Sequence, residues 1–271
     1  MKTYFFMAGL PRSGSTLLSA LLNQNPLFYA STNSPVCSAI SQAKEHLLCS
    51  EQYLAYPKPG VISNTLYSIL NGYYSDTDAR FVVDKSREWS NPKNFSTLVE
   101  ILPYKPKIVV MVRDVLDILA SFIHLANENT GKETMLDKQI STDVFHFYRQ
   151  PNDLRCDYLM HPKGDIDSAL YGISHAILPN NKQYFHFIEY EDLIKNPEEE
   201  IKKLYKFLEI EPFKHDFYNI KNTMQENDEV YGLLGMHDVR PTISKRKLDK
   251  EKILSEYVLQ KYSNLEFWRK A

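Results

Sequence analysis

The residues best placed by type and spacing to do chemistry lie at Gly9–Thr16, GLPRSGST, after a short apolar run and before a stretch with helical spacing. The two glycines stand as in the phosphate loop GxxxxGK[ST]. Backbone N–H groups at such a turn, with the positive end of the following helix, form an anion cradle. Glycine there permits backbone angles and approaches that a side chain would block. The position that holds Lys in nucleoside-triphosphate loops is Ser15, however, and the loop's cation is Arg12. That Lys contacts the β- and γ-phosphates, and the next hydroxyl helps hold Mg²⁺. No obvious Asp partner for Mg²⁺ stands out, although Asp84 ends a strand and could serve. The plainer alternative is a Gly/Pro turn that merely caps a helix.

Two further cations stand at the ends of strand-like runs. Arg113 follows KIVVMV and precedes a helical segment carrying Ser121. A guanidinium there offers a planar fork of donors to a phosphate, or else makes a surface ion pair. Eight residues of helix advance roughly 12 Å, so the Arg must reach back to share a ligand with Ser121. Lys85 follows RFVVD and is either a surface lysine or a cation overhanging the same sheet edge. The eight histidines include no HExxH or His-x-His pair, so no metal site is expected. Cys37, Cys49 and Cys156 show no CxxC spacing and read as reduced packing residues.

The elements that must hold these groups are four strands: Thr3–Ala8, Arg80–Asp84, Lys107–Val112 and Tyr184–Glu189. Their β-branched and aromatic runs suit strands buried on both faces of a parallel sheet. Helical spacing covers Ser15–Asn23, Asp114–Asn127 and Glu198–Leu208, the last announced by Asn196–Pro197 and three acidic residues. Alternating strands and helices predict an α/β fold, a three-layer αβα arrangement around a central parallel sheet. The 271 residues suit a single domain, 1–271. Within it, 130–164 reads as a polar, irregular insertion, either an acceptor-binding lid or a surface excursion. The tail, 230–271, begins with YGLLGMHDVRP and ends in a helix-like Lys250–Tyr262. The net charge of −2 gives no global reason to expect nucleic acid or an anionic membrane as partner. The N-terminal apolar run is too short for a signal peptide or membrane span, so a cytoplasmic location is expected.

PRSGSTLLSALLNQNP resembles the 5′-phosphosulfate loop of the sulfotransferase superfamily, in its bacterial and tyrosylprotein branches more than in the cytosolic small-molecule branch. KIVVMVRDVLDILASF resembles the family's 3′-phosphate motif, and FHFIEYEDLIKNPEEEIKKLYKFLEI its Tyr-Glu-Asp segment. The resemblance implies a P-loop NTPase-like sulfotransferase fold, with 3′-phosphoadenosine 5′-phosphosulfate (PAPS) as donor and 3′,5′-diphosphoadenosine (PAP) as product. A loop with its cation before the second glycine and hydroxyls after it suits a phosphosulfate. Arg12, Ser13, Gly14, Ser15 and Thr16 would hold that group, Arg113 and Ser121 the 3′-phosphate, and Tyr190 the adenine. Relatives close over the nucleotide with a C-terminal basic-Gly segment absent here. Arg240, Lys245 and Arg246 in HDVRPTISKRK either replace it or form a solvated basic loop.

The same resemblance gives Lys85 and Arg12 the task of facing the transferred group, which goes to a hydroxyl or amine acceptor without a metal. Cytosolic relatives place a His base two residues after that Lys, where this chain has Arg87, which cannot accept a proton near neutral pH. Tyrosylprotein relatives use a Glu after the first helix, and the matching stretch Ser31–Pro35 has no carboxylate. Glu88 is the expected base, with His124 the other candidate. A Mg²⁺-dependent kinase and an inactive nucleotide-binding module remain as alternatives.

Overall fold

The computed structural model describes residues 2–129, 131, 133–141, 150–162, 164–244 and 248–270. Its centre is a five-stranded sheet of β1 (Thr3–Gly9), β2 (Phe28–Asn33), β3 (Phe81–Lys85), β4 (Ile108–Val112) and β5 (Phe185–Glu189). The strand order is β2-β3-β1-β4-β5, with every pairing parallel. The all-parallel, both-faces-buried arrangement expected from the sequence is therefore the one adopted.

Alternation along β1 explains the layers. Tyr4, Phe6 and Ala8 enter one core, while Phe5 and Met7 enter the other. Helix Ser15–Leu22, which follows β1, packs Leu18, Leu21 and Leu22 into the second core. Helix Val115–Glu128, which follows β4, packs Val115, Ile118 and Leu119 into the first. The neighbouring strands β1 and β4 thus send their connections to opposite faces. A crevice opens at their carboxyl ends, where doubly wound sheets bind ligands.

Gly9 ends β1 at that crevice with φ of +114°, and a β-carbon there would stand 2.1 Å from the Met111 carbonyl oxygen. The same oxygen accepts the Leu10 N–H at 2.8 Å, so the backbone cannot back away without breaking the loop's anchor. Gly9→Ala is expected to destabilise the fold by about 4 kcal/mol or more, read as a fall in the urea midpoint.

Three expectations need correction. The first concerns β2, which lacks an apolar run because it is an edge strand; its register with β3 shifts between Ala30 and Asn33. In the 130–164 segment, the described parts are not irregular: they hold helices Met135–Ser141 and Pro151–Leu159. Its polar composition serves a network in which Arg155 grips Asp137 at 2.8 and 3.0 Å. Finally, the C-terminal stretch Lys250–Tyr262 breaks at an extended Leu254 into helices Lys250–Ile253 and Glu256–Lys261. Ser255 caps the second by accepting the Val258 N–H.

Cys37, Cys49 and Cys156 are free thiols, and burial pushes the Cys156 thiol up to about 12. Among the described residues no helix is long and apolar enough to cross a membrane.

Candidate active site

At the carboxyl end of the sheet lies a cavity of about 560 Å³, walled by residues 7–12 and 14–17, by Lys85, Arg113 and Tyr190, and by 234–244 of the tail. Five of its lining side chains are cationic (Arg12, Lys85, Arg87, Arg113, Arg240), against two carboxylates, Glu128 and Asp238. The chain as a whole carries −2, so the positive charge is a local construction that suits an anion.

The loop is built around strained turns. Arg12 adopts φ of +55° and Gly14 +87°. Helix Ser15–Leu22 has no side-chain cap at Gly14, which leaves its first N–H groups for a ligand. Ser15 and Thr16 line the cavity beside Gly14. Ser13 does not; it is fully buried, and its hydroxyl donates to the Leu10 carbonyl at 2.5 Å. Its side chain braces the turn from inside.

Arg12 joins the Gly9–Thr16 loop to the Arg113–Ser121 segment. Its Nε donates to Ser121 Oγ at 3.2 Å, and its Nη1 donates to the Met236 carbonyl of the tail. Arg113, just past the end of β4, donates from Nη1 to the Arg12 carbonyl at 2.9 Å. Its guanidinium lies over the Tyr190 ring, 4.4 Å from the centroid. Tyr190 also abuts Gly14, where a β-carbon would meet its Cδ2 at 2.8 Å. Loop, arginine and tyrosine are thereby interlocked. Arg113 Nε is buried with no hydrogen-bond partner, as are both carboxylate oxygens of Glu191, the nearer of which stands 3.9 Å away. Burial pushes the Glu191 carboxyl up, with Arg113 opposing.

Lys85 closes the other end. Its Nζ lies 3.5 Å from Thr16 Oγ1 and 3.6 Å from Glu226 Oε1, with both charged side chains over nine-tenths buried. Burial pulls the ammonium down to about 8, with Glu226 pushing the other way. The preceding residue points to the opposite face, as neighbours on a strand must. Asp84 there accepts hydrogen bonds from Ser34, Tyr74 and Trp89 at 2.5, 2.5 and 2.6 Å. It is enclosed in protein, is absent from the cavity wall, and is not positioned as a partner for a nucleotide-bound Mg²⁺.

Glu88 is not brought to the cavity. It sits exposed on the 3₁₀ turn Arg87–Ser90, which turns Trp89 inward instead. His124 pairs with Glu128 at 3.1 Å along its own helix and does not line the cavity either. Arg240 does line it, donating to Ser244 at 3.1 Å, while Lys245 and Arg246 fall outside the described residues. No described residue of 130–164 lines the cavity. Sequence reasoning missed Asn33, Glu226, Asp228 and His237, which gather beside Lys85. The glycine-spaced YGLLGMHD was the one visible sign of them; Glu226 sits in a polar run with no periodicity.

The model of the family described as "Sulfotransferase domain" matches residues 2–250. No curated protein sequence matches the chain. Among solved structures, a mouse sulfotransferase complexed with PAP aligns at TM-score 0.57 and 12% identity, over 99% of this chain and 83% of that one. Retinol dehydratase in complex with androsterone and inactive cofactor PAP gives 0.53 and 16%, over 100% and 80%. The sulfotransferase domain from the curacin biosynthetic pathway gives 0.51 and 16%, over 90% and 81%. At such identities these likenesses speak for the fold alone. The sequence match over nearly the whole length speaks for descent: the chain belongs to the sulfotransferase family.

Proposed function

We propose that the chain transfers a sulfuryl group from PAPS to a hydroxyl-bearing acceptor. The observation that carries this reading is the convergence of Arg12, Arg113, Ser121 and Tyr190 on one cationic cavity through direct contacts. The residues fit the nucleotide. Arg113 Nε is a buried donor lacking an acceptor, which a 3′-phosphate supplies. The uncapped helix start after Gly14 and the Thr16 hydroxyl suit the 5′ anion. Tyr190 offers a ring at the cavity wall for the base.

When bound, the donor supplies an activated sulfuryl group on a phosphate leaving group. The chain's contribution is placement and charge. Arg12 and Lys85 present fixed cations in the cleft, where they stabilise developing negative charge without reorganising. Met236 and its neighbours in the tail cover the loop, with Arg12 tied to the Met236 carbonyl.

The competing kinase reading predicts Mg²⁺-dependent ATP binding. Two observations weigh against it: the loop lacks the lysine, and Asp84 is enclosed by Ser34, Tyr74 and Trp89. Calorimetric titration separates the two. PAP is expected to bind with Mg²⁺ chelated and more tightly than ATP with Mg²⁺. Tighter binding of ATP, dependent on Mg²⁺, would favour the kinase.

A further inference from the structure

The transfer proposed above needs a group to take the acceptor's proton, and neither Glu88 nor His124 lines the cavity. His237 does, on the wall shared with Lys85 and Asn33. Asn33 and Lys85 are register partners at the ends of β2 and β3, so this wall is rigid sheet edge rather than loose loop.

We propose that His237 is the proton acceptor of the transfer, held in the required tautomer by Asp228.

The surroundings of the ring argue for it. Nδ1 lies 2.6 Å from Asp228 Oδ1, and the His237 backbone N–H donates to Oδ2 of the same carboxylate at 3.0 Å. A carboxylate can only accept, so Nδ1 carries the hydrogen and the neutral ring leaves its lone pair on Nε2. Nε2 has two neighbours of opposite kind. Asn33 Nδ2, at 3.2 Å, can only donate and matches the bare nitrogen; Glu226 Oε2, at 3.4 Å, can only accept and matches the protonated one. Each protonation state of His237 thus has a partner already in place. Glu226 is itself fixed by the Asn33 backbone N–H and side-chain amide, both at 3.2 Å, and by Lys85 at 3.6 Å. A further titratable neighbour among the described residues is Tyr231, whose ring centroid lies 5.7 Å from that of His237; burial pushes its hydroxyl up, and it stays neutral.

The step balances without a further reactant. The acceptor oxygen forms a bond to sulfur while the bond from sulfur to the leaving phosphate oxygen breaks, and its electron pair stays on that phosphate. The acceptor's proton passes to Nε2, displacing the Asn33 hydrogen bond, and the cation formed lies between Asp228 and Glu226. Lys85 lies one contact away through Glu226 and lines the same cavity. Asp228 and Glu226 act through His237 and are positioning residues. The arrangement follows the logic of a base oriented by a carboxylate, assembled from strand β2 and the tail.

Two measurements on the full chain test this. In NMR spectra with isotope-labelled histidine, the neutral ring of His237 in the ligand-free chain is expected as the Nδ1–H tautomer. Asp228→Asn is expected to abolish that preference. A neutral His237 ring that carries its hydrogen on Nε2 in the parent overturns the assignment. In kinetics, His237→Asn retains an N–H for Asp228 but cannot take a proton. It is expected to bind PAP within about threefold of the parent and to transfer sulfuryl at least about 10²-fold more slowly. Parental turnover by His237→Asn overturns the proposal. The inference rests on the PAPS reading, and the two fail differently: a parent chain that does not bind PAP overturns the donor, while the tautomer measurement still judges His237.

Discussion

Lys85→Ala is expected to lower turnover at least about 10³-fold while changing PAP affinity by less than about tenfold, as measured by steady-state transfer and calorimetry. The asymmetry comes from position. Lys85 stands against Thr16, and Arg113 and Tyr190 line the cavity elsewhere, so under the proposed function the product nucleotide is expected to retain its other contacts. A cation placed where charge develops acts on the transition state more than on the bound ground state. The variant also strands Glu226, which keeps Asn33 and His237 as neighbours, so the fold is expected to survive.

The pH dependence carries the same signature. Burial brings Lys85 down to about 8, so the free enzyme holds this charge below that pH and loses it above. The kcat/KM profile is expected to fall as pH rises through about 8, an arm that Lys85→Ala removes from its residual activity. A bound anion favours the ammonium, so the arm is displaced upward in kcat. Stability moves oppositely. Between about 8 and the ordinary lysine value of 10.5 the folded chain binds fewer protons than the unfolded one, so Lys85 contributes a gain in stability as pH rises across that window.

Arg113→Ala is expected to weaken PAP binding about 10²-fold or more while weakening 5′-AMP binding several-fold less. Removing one partner of a buried, charge-assisted pair typically costs about 2–5 kcal/mol. Some loss falls on both ligands, because Arg113 also fixes the Arg12 carbonyl and lies over Tyr190. The difference between the two nucleotides isolates the 3′-phosphate. Arg113→Lys keeps charge but loses the fork, and is expected to fall between parent and alanine variant for PAP. Equal losses for PAP and 5′-AMP would reduce Arg113 to a brace for the loop.

What the sequence made legible was continuous in the chain. Gly9–Thr16 and Arg113–Ser121 are each one strand running into one helix, so local spacing carried their geometry. The cavity brings these segments to a common wall, and Arg12 links them. The proton-handling wall was not legible. Asn33 comes from an edge strand whose FYASTN lacks an apolar run, and Glu226, Asp228 and His237 arrive from a tail folded back over the sheet. Only packing brings those residues together. Glu88 shows the reverse error. Its spacing from β3 suggested a sheet-edge carboxylate, but a 3₁₀ turn buries Trp89 against Asp84 and leaves Glu88 in solvent.

The most direct test of the account is incubation of the parent chain with radiolabelled PAPS, Mg²⁺ chelated, against a panel of phenols, alcohols, sugars and tyrosine peptides. The account predicts label on at least one hydroxyl acceptor, with stoichiometric PAP release, and a rate at least about 10³-fold lower with Lys85→Ala. Binding of PAP with no acceptor labelled, or transfer of phosphate from ATP with Mg²⁺ instead, would contradict it.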